Sequence, residues 1–486
     1  MKMVFIQNLS LSHFGITYIS AVLKRRGYLT DVFVEGLHKD IVEDVCRARP
    51  DIVGFTCITG DHQWVGKKAA EIKRYLDVPI IVGGPHPTYF PDMIETENID
   101  IIARGESENV VLELMARLQN KEEISNIAGL WVKKNGRIYK NPVAPLIGDL
   151  DALPFPDRNI YSKYDFLDKE EEFQICSSRG CPFSCSFCYN ASKKKLYFGQ
   201  KVVRKRSVDN IISEIQFLRQ KYPNLESISF NDDNLGLNPK WFNEFCEKYG
   251  QLDAPPPFIA SLRADFISEE RAKKLKKANC FCVTIGLESG NAEMRNNILK
   301  KDISNETYLL AARFIKENGI KLRTSNIIFL PGETIEMGFE TLWLNKKMKV
   351  NYAWVYPLQP YPGTEIYQYA VENGFLDKEF SFDDIDPLGM LKSPLERKLK
   401  DGKKLKVLHR LFYYGVKIPG FVYLLKLLVY FPNNFIFEFL LRFSLLINYA
   451  KFHEISLFRA LMVVNRVFWT ERRIRMSLKD EDMKEV

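Results

Sequence analysis

Cys181, Cys185 and Cys188 sit in the short stretch Cys181-Pro182-Phe183-Ser184-Cys185-Ser186-Phe187-Cys188, after the apolar run Phe173-Gln174-Ile175-Cys176. Three thiols at this spacing reach one metal centre only if the backbone turns tightly, and Gly180 and Pro182 are residues that permit such a turn. Thiolates are soft ligands that suit iron–sulfur clusters or zinc. A structural zinc site wants a fourth Cys or His at its own paired spacing. The next cysteine is Cys246, inside a segment of helical period. A four-iron cluster normally takes four cysteines, so three would leave one iron open to another ligand. From spacing alone, a partial zinc knuckle or plain packing stays open.

The rest of the chain has to hold that loop. At 486 residues it is long for one core and suggests two to four domains. An apolar content of 46% with 27% charged residues is that of a soluble globular protein and excludes wholesale disorder. Nine cysteines with the tightest cluster in a metal-type loop, and no amino-terminal signal peptide, point to a reducing cytoplasm rather than a disulfide framework. The net charge of +8 gathers largely after residue 390. It permits an anionic membrane surface without demanding one, and no nucleic-acid partner is expected.

Two stretches alternate strands with helical periods. In residues 1–145, strands are predicted at 2–7, 31–35, 51–56, 79–82 and 100–103, which implies a doubly wound, Rossmann-like parallel sheet. Ligands of such sheets bind beyond the strand carboxyl ends. Those ends carry Thr59, Gly83, Gly84, His86, Gly105 and Glu106. Apolar runs on either side of Asn135-Gly136 predict a hairpin, read as a small cap, and the proline-rich 146–172 reads as a linker. In residues 173–370, six strands with intervening helices fit a partial (β/α)6 barrel of the TIM type, with functional groups on the strand carboxyl ends. Asp232 and Asp233 follow the second strand, Arg263 the third, Glu288 and Ser289 the fourth, and Ser325 and Ile327 lie on the fifth.

The CxxxCxxC spacing, with Phe187 just before the third cysteine, resembles the signature loop of the radical S-adenosylmethionine (SAM) enzymes. The resemblance implies a [4Fe–4S] cluster on Cys181, Cys185 and Cys188. SAM would chelate the open iron, and the reduced cluster would cleave it to a 5'-deoxyadenosyl radical. It also implies that Asp232 and Asp233 hold the SAM amino group, that Glu288 and Ser289 of the Gly286-Leu287-Glu288-Ser289-Gly290 phrase hold its ribose or amino end, and that the strand with Ser325 and Ile327 receives adenine. Arg263 is a candidate clamp for the SAM carboxylate. Phe329 departs from the pattern, where glycine is commoner. The first 145 residues, with their Gly83-Gly84-Pro85-His86-Pro87 and Arg104-Gly105-Glu106-Ser107-Glu108 loops, resemble the cobalamin-binding domain that precedes one class of these enzymes. The Asp-x-His-x-x-Gly pattern of a cobalt-ligating histidine is absent, so His13 is a poor candidate ligand, and His62 and His86 are lining residues only. An electron donor such as flavodoxin or ferredoxin is implied.

Residues 371–486 read as a helical, apolar and basic region. Its apolar runs at 421–431 and 435–447 are broken by Lys426, Pro432, Glu438 and Arg442 and fall short of the ~20 residues of a spanning helix. They suit a peripheral membrane contact through 400–475, a vestibule for a lipid-like or other small substrate, or a subdomain packed on the barrel. Residues 476–486 read as a frayed end. The expected protein is thus a cytoplasmic cobalamin-dependent radical SAM C-methyltransferase, with membrane association through 400–475 as an option the composition allows. A cyclase or rearrangement enzyme of the same architecture, or a non-catalytic cobalamin or redox sensor, is the alternative.

Overall fold

The computed structural model describes residues 1–9, 11–164, 172–377, 380–386, 389–452, 456–458 and 460–462. They divide into two compact units, the first of residues 1–170 together with those from 461 onward, the second of residues 171–460.

The first unit is built on seven strands: β1 (Lys2–Gln7), β2 (Leu29–Val34), β3 (Ile52–Thr56), β4 (Ile80–Gly83), β5 (Ile101–Ala103), β6 (Leu130–Lys134) and β7 (Arg137–Lys140), in the order β2-β1-β3-β4-β5-β6-β7. The first five are parallel. Alternation along β1 feeds two cores: Met3 and Phe5 join the cluster under α1 (Phe14–Arg25) and α5 (Glu108–Asn120), while Val4 and Ile6 join the one under α2 (Ile41–Arg47) and α3 (His62–Lys73). A short helix, α4 (Pro85–Tyr89), follows β4.

Two expectations shift here. The hairpin does not stand off as a cap: β6 pairs antiparallel with β5, and Leu130 and Val132 enter the core, so the Asn135-Gly136 turn extends the main sheet. The stretch expected as a linker packs on the first unit through its aromatic residues. Tyr161 donates to Gln7 Oε1 at 2.6 Å and Tyr164 to the Val32 carbonyl at 3.0 Å, and Leu150 and Leu153 cover α1. Proline set its extended path; burial of these rings decided where it lies.

The second unit contains β8 (Glu172–Ile175), a two-stranded ribbon of β9 (Ser178–Arg179) and β10 (Arg204–Lys205), then β11 (Ser227–Phe230), β12 (Phe258–Ser261), β13 (Cys280–Glu288), β14 (Lys321–Ile328) and β15 (Tyr352–Pro357). The parallel sheet runs β15-β14-β13-β12-β11-β8, and among the described residues its end strands β15 and β8 do not pair with each other, as in a partial barrel. Between strands run α6 (Tyr189–Leu196), α7 (Val208–Lys221), α8 (Pro239–Gly250), α9 (Glu269–Lys277), α10 (Asn305–Glu317) and α11 (Ile335–Lys347), followed by α12 (Glu365–Glu372). Ser207 caps α7, its Oγ accepting from the Asn210 amide at 3.1 Å. Outward residues such as Ile228, Phe230, Val283 and Leu322 pack under these helices. Inward residues include Ile259, Cys282, Thr284, Arg323, Ser325, Tyr352, Trp354 and Tyr356, aligned by strand register.

The C-terminal region is not a separate body. Leu405, Leu408 and Leu411 of α13 (Gly402–Lys417) and Val422 and Leu425 of α14 (Phe421–Leu428) belong to the barrel's own core. Phe452, at the end of α15 (Phe435–Phe452), packs with Ile259, Cys282 and Tyr352, on the inner face near the strand starts. Among the described residues no helix is long and apolar enough to cross a membrane. Residues 463–486, including the expected frayed end, lie outside the described residues.

Candidate functional site

The three-cysteine loop springs from β9 and returns through α6 to β10. Gly180 has φ of 85°, and a Cβ there would collide with the Val202 carbonyl across the ribbon, so the turn admits only glycine. Backbone and side-chain bonds pin the loop: Ser186 donates through its amide to Leu299 O at 3.1 Å and through Oγ to Ile298 O at 2.6 Å, and Lys194 Nζ donates to Pro182 O at 2.8 Å. All three thiols are half-buried. Burial pushes Cys181 up to about 11 and raises Cys185 and Cys188.

The donor set fits a cluster with one open iron. The remaining cysteines are committed elsewhere: Cys176 donates to Ser178 O at 2.9 Å, and Cys246, Cys280 and Cys282 are buried in packed elements. Among the described residues no three His, Cys, Asp or Glu side chains gather round one ion, whereas a cubane takes each thiolate on a different iron.

The polar phrases at the strand ends fall around this loop in different ways. Asp232 turns away from it: fully buried, its carboxylate accepts from the Ser177 amide at 3.2 Å, Ser177 Oγ at 2.8 Å and Ser178 Oγ, and burial pushes it up to about 6. It braces the approach to the loop instead of offering a free carboxylate. Asp233 is exposed and accepts from Asn190 Nδ2 at 2.9 Å. The same Asn190 amide lies 3.6 Å from Cys188 Sγ. Arg263 grips Asp265 with two nitrogens, at 3.1 and 3.0 Å, donates to Lys301 O at 3.0 Å, and lies 3.6 Å over the Phe183 ring of the cysteine loop.

Glu288 is the centre of the arrangement. The β13–β14 register slips between Gly286 and Glu288, and Glu288 itself has φ of 62°. A bulge re-aims the side chain that follows it, and this one pairs with Lys301 Nζ at 2.7 Å, both side chains under a tenth exposed. A Cβ on Gly286 would meet Glu288 Oε1 and sit 2.6 Å from Lys301 Nζ, so that position must lack a side chain. Lys301 and Arg263 are the two cations that lower Cys185, against its burial. Lys301 was invisible in the sequence: Lys300-Lys301 reads as a solvated pair of charges, and only the π-helical turn Met294–Ile298 folds it under β13.

Ser289 is buried, its Oγ accepting from the Asn291 amide at 3.3 Å within the turn. Ser325 and Ile327 are half-buried and alternate with Thr324 and Asn326, which point outward to Asn345. Phe329, where the resemblance leads one to expect glycine, has φ of 64°, which explains the glycine preference. Its ring is fully buried and meets His409 of α13 edge-on at 6.4 Å, packing that compensates the backbone strain. Glu333, on the same loop, is buried without a cation; it accepts from the Leu330 amide at 3.0 Å and burial raises it to about 8.

In the first unit the strand ends knit into one surface. Gly84 has φ of 107°, and a Cβ would lie 2.8 Å from Cys57 O. His86 Nδ1 is 3.2 Å from Thr59 Oγ1, and its ring stacks on His62 at 5.0 Å. Burial, then the charge of His62, lowers His86 to about 3, so the His86 ring is neutral near pH 7. Gly83 closes β4, the Gly105 amide donates to Thr88 Oγ1 at 3.0 Å, and Glu106 accepts from Ile147 N at 3.4 Å. His13, on the β1–α1 loop, is held near 4 by burial, and its Nε2 has no hydrogen-bond partner among the described residues. A neutral, glycine-lined end of the sheet fits the face of a large macrocycle such as cobalamin.

Comparison with known proteins agrees with this geometry. Residues 175–342 match the Radical SAM superfamily, and residues 9–115 match the B12 binding domain. An uncharacterized methyltransferase of Pyrococcus horikoshii is 32% identical over 371 residues, covering 74% of this chain and 79% of the relative. An anaerobic magnesium-protoporphyrin IX monomethyl ester cyclase of Rubrivivax gelatinosus is 28% identical, covering 73% and 65%. The solved radical SAM methyltransferase TsrM of Kitasatospora setae, with cobalamin and a [4Fe-4S] cluster bound, superposes with a TM-score of 0.64 at 15% identity, covering 76% and 78%, a likeness of fold. With a B12 binding domain, a Radical SAM domain carrying a three-thiol loop on an open barrel, and a methyltransferase relative 32% identical, the chain belongs to the cobalamin-dependent radical SAM enzymes, whose cofactors are a [4Fe–4S] cluster, SAM and cobalamin.

Proposed function

We propose that this enzyme methylates an unactivated carbon of its substrate, and the observation that carries the proposal is a three-thiol loop with no fourth cysteine, set beside a buried Glu288–Lys301 pair. Cys181, Cys185 and Cys188 hold the cluster. Glu288, Lys301 and Arg263 orient the amino-acid and ribose ends of SAM, charge against charge. The inner edge of β14 at Ser325 and Ile327 takes the adenine, and the loops bearing Thr59, Gly83, Gly84, His86, Gly105 and Glu106 take cobalamin. When bound, these groups supply reductive cleavage of SAM and the methyl group; the chain supplies placement and a dry site. A flavodoxin or ferredoxin supplies the electron.

Cyclisation is the second reading, favoured by the R. gelatinosus relative. Co-products separate the two. Methyl transfer is expected to release S-adenosylhomocysteine and 5'-deoxyadenosine in about equal amounts per product; 5'-deoxyadenosine without S-adenosylhomocysteine would select cyclisation or rearrangement.

The enzyme's seat is proposed to be an anionic lipid surface. On α14 and α15, Val422, Leu425, Phe437 and Leu441 are buried, while Tyr423, Leu427, Tyr430, Phe435 and Phe439 are exposed, Phe435 at 82%. An exposed aromatic face of this extent marks an interaction surface. Lys426, Arg442 and Lys451 lie exposed on the same two helices, and the acid among them, Glu438, is tied to Arg410 at 2.9 Å. Basic rims with aromatic faces suit interfacial helices. Wild-type enzyme is expected to float with anionic vesicles, less so at high salt, and the Y430S/F435S/F439S variant to stay behind. No flotation, or flotation unchanged in the variant, would refute this; a dimer that the variant splits would reassign the face to a second copy.

A further inference from the structure

The inner face of the barrel sheet carries a cation without an anion. Arg323 lies on β14, four residues before Ile327 on the same face, so at about 3.3 Å per residue it sits ~13 Å toward the strand starts. Its Nε donates to Thr284 Oγ1 at 2.8 Å and its guanidinium lies 4.5 Å over the Phe452 ring. Among the described residues no carboxylate pairs with it, and its terminal nitrogens remain available. An unpaired guanidinium inside a protein is costly unless something else compensates it.

The neighbouring strand adds donors. Register sets Tyr352 beside Arg323, Trp354 beside Ser325 and Tyr356 beside Ile327. Trp354 Nε1 is buried with no hydrogen-bond partner among the described residues, an omission that ordinarily costs about 1–3 kcal/mol. Its ring stacks on Tyr356, centroids 6.3 Å apart and planes 10° apart. Arg323 acts electrostatically on Tyr356 and on Cys282. Burial raises the Tyr356 hydroxyl, which keeps it a donor. Glu288 also acts on Tyr356 and Glu172 on Cys282, yet among the described residues neither makes an ion pair with Arg323, whose charge is left without a close counterion on this face.

SAM does not account for the charge. The cations acting on the cluster thiol Cys185 are Lys301 and Arg263, at the opposite end of the strands, and Arg323 is not among them. We propose that Arg323, Trp354 and Tyr356 form a subsite on the inner face of the barrel for an oxyanion of the substrate, a carboxylate or phosphoryl group. The inference rests on the reading of this barrel as the reaction chamber. A planar fork and an indole N–H offered from adjacent strands of one face match such a group, and a neutral hydrocarbon would leave both uncompensated.

The test titrates the holoenzyme, loaded with cluster, cobalamin and SAM, with inorganic phosphate, methylphosphonate and acetate at constant ionic strength, reading heat and tryptophan fluorescence. At least one is expected to bind; acetate marks a carboxylate site, and phosphate or methylphosphonate a phosphoryl site. Arg323→Met is expected to weaken binding by about tenfold or more, and Trp354→Phe by a smaller factor with loss of the fluorescence change. Neither is expected to alter SAM binding, and Arg323→Lys should recover part of the affinity. Absence of binding by all three anions, or equal binding by Arg323→Met, overturns the proposal. A wild type that binds oxyanion through Arg323 but not SAM would leave the subsite standing and sink the functional reading instead.

Discussion

Replacing Cys181, Cys185 and Cys188 together by Ala is expected to remove essentially all iron and sulfide and to abolish 5'-deoxyadenosine formation, while bound cobalamin and overall fold persist. The fold persists because the thiols are half-exposed and the loop is tied through other groups: Ser186 to Leu299 and Ile298, and Lys194 to Pro182. Cobalamin persists because its loops belong to a unit with cores of its own. Iron, sulfide and corrinoid measured on one anaerobic sample check this. A Cys176→Ala variant is the control: its thiol, bonded to Ser178 O, is no ligand, and iron should stay at the wild-type level. Iron retained in the triple variant, or lost in the control, would mean that the ligand set is wrong.

The second large effect is expected from Lys301→Met. Removing one partner of a buried ion pair strands the other, at a cost of about 3–5 kcal/mol. For a unit of this size that is a fall in Tm of about 10 °C, together with loss of SAM binding. The double variant E288Q/K301M removes both charges and is expected to regain most of the Tm without regaining SAM. Differential scanning fluorimetry and equilibrium dialysis of SAM separate the two effects. Recovery of SAM binding in the double variant would show that Glu288 and Lys301 are scaffold, not ligand contacts.

Much of this was legible in the chain. Strand positions followed from apolar runs such as Val4-Phe5-Ile6, and the cysteine loop pointed to its chemistry through its resemblance to the radical SAM signature, since spacing alone left zinc or packing open. What escaped were facts of tertiary register. Nothing local distinguishes Asp232 from Asp233, yet a strand end turns one toward Ser177 and leaves the other exposed. Lys301 takes its meaning from a bulge thirteen residues away, and Asn190 from a bond to Asp233 across the loop. The C-terminal helices carried two apolar faces in one sequence pattern. Composition could not tell that Phe452 packs inside the barrel while Phe435 is left bare.

The most direct test of the account is electron paramagnetic resonance of the anaerobically reconstituted, reduced enzyme before and after SAM is added. A reduced [4Fe–4S] signal whose g-values shift with SAM is the predicted result, since the nucleoside would occupy the iron that Cys181, Cys185 and Cys188 leave open. A cluster signal indifferent to SAM, or no iron signal at all, would contradict it.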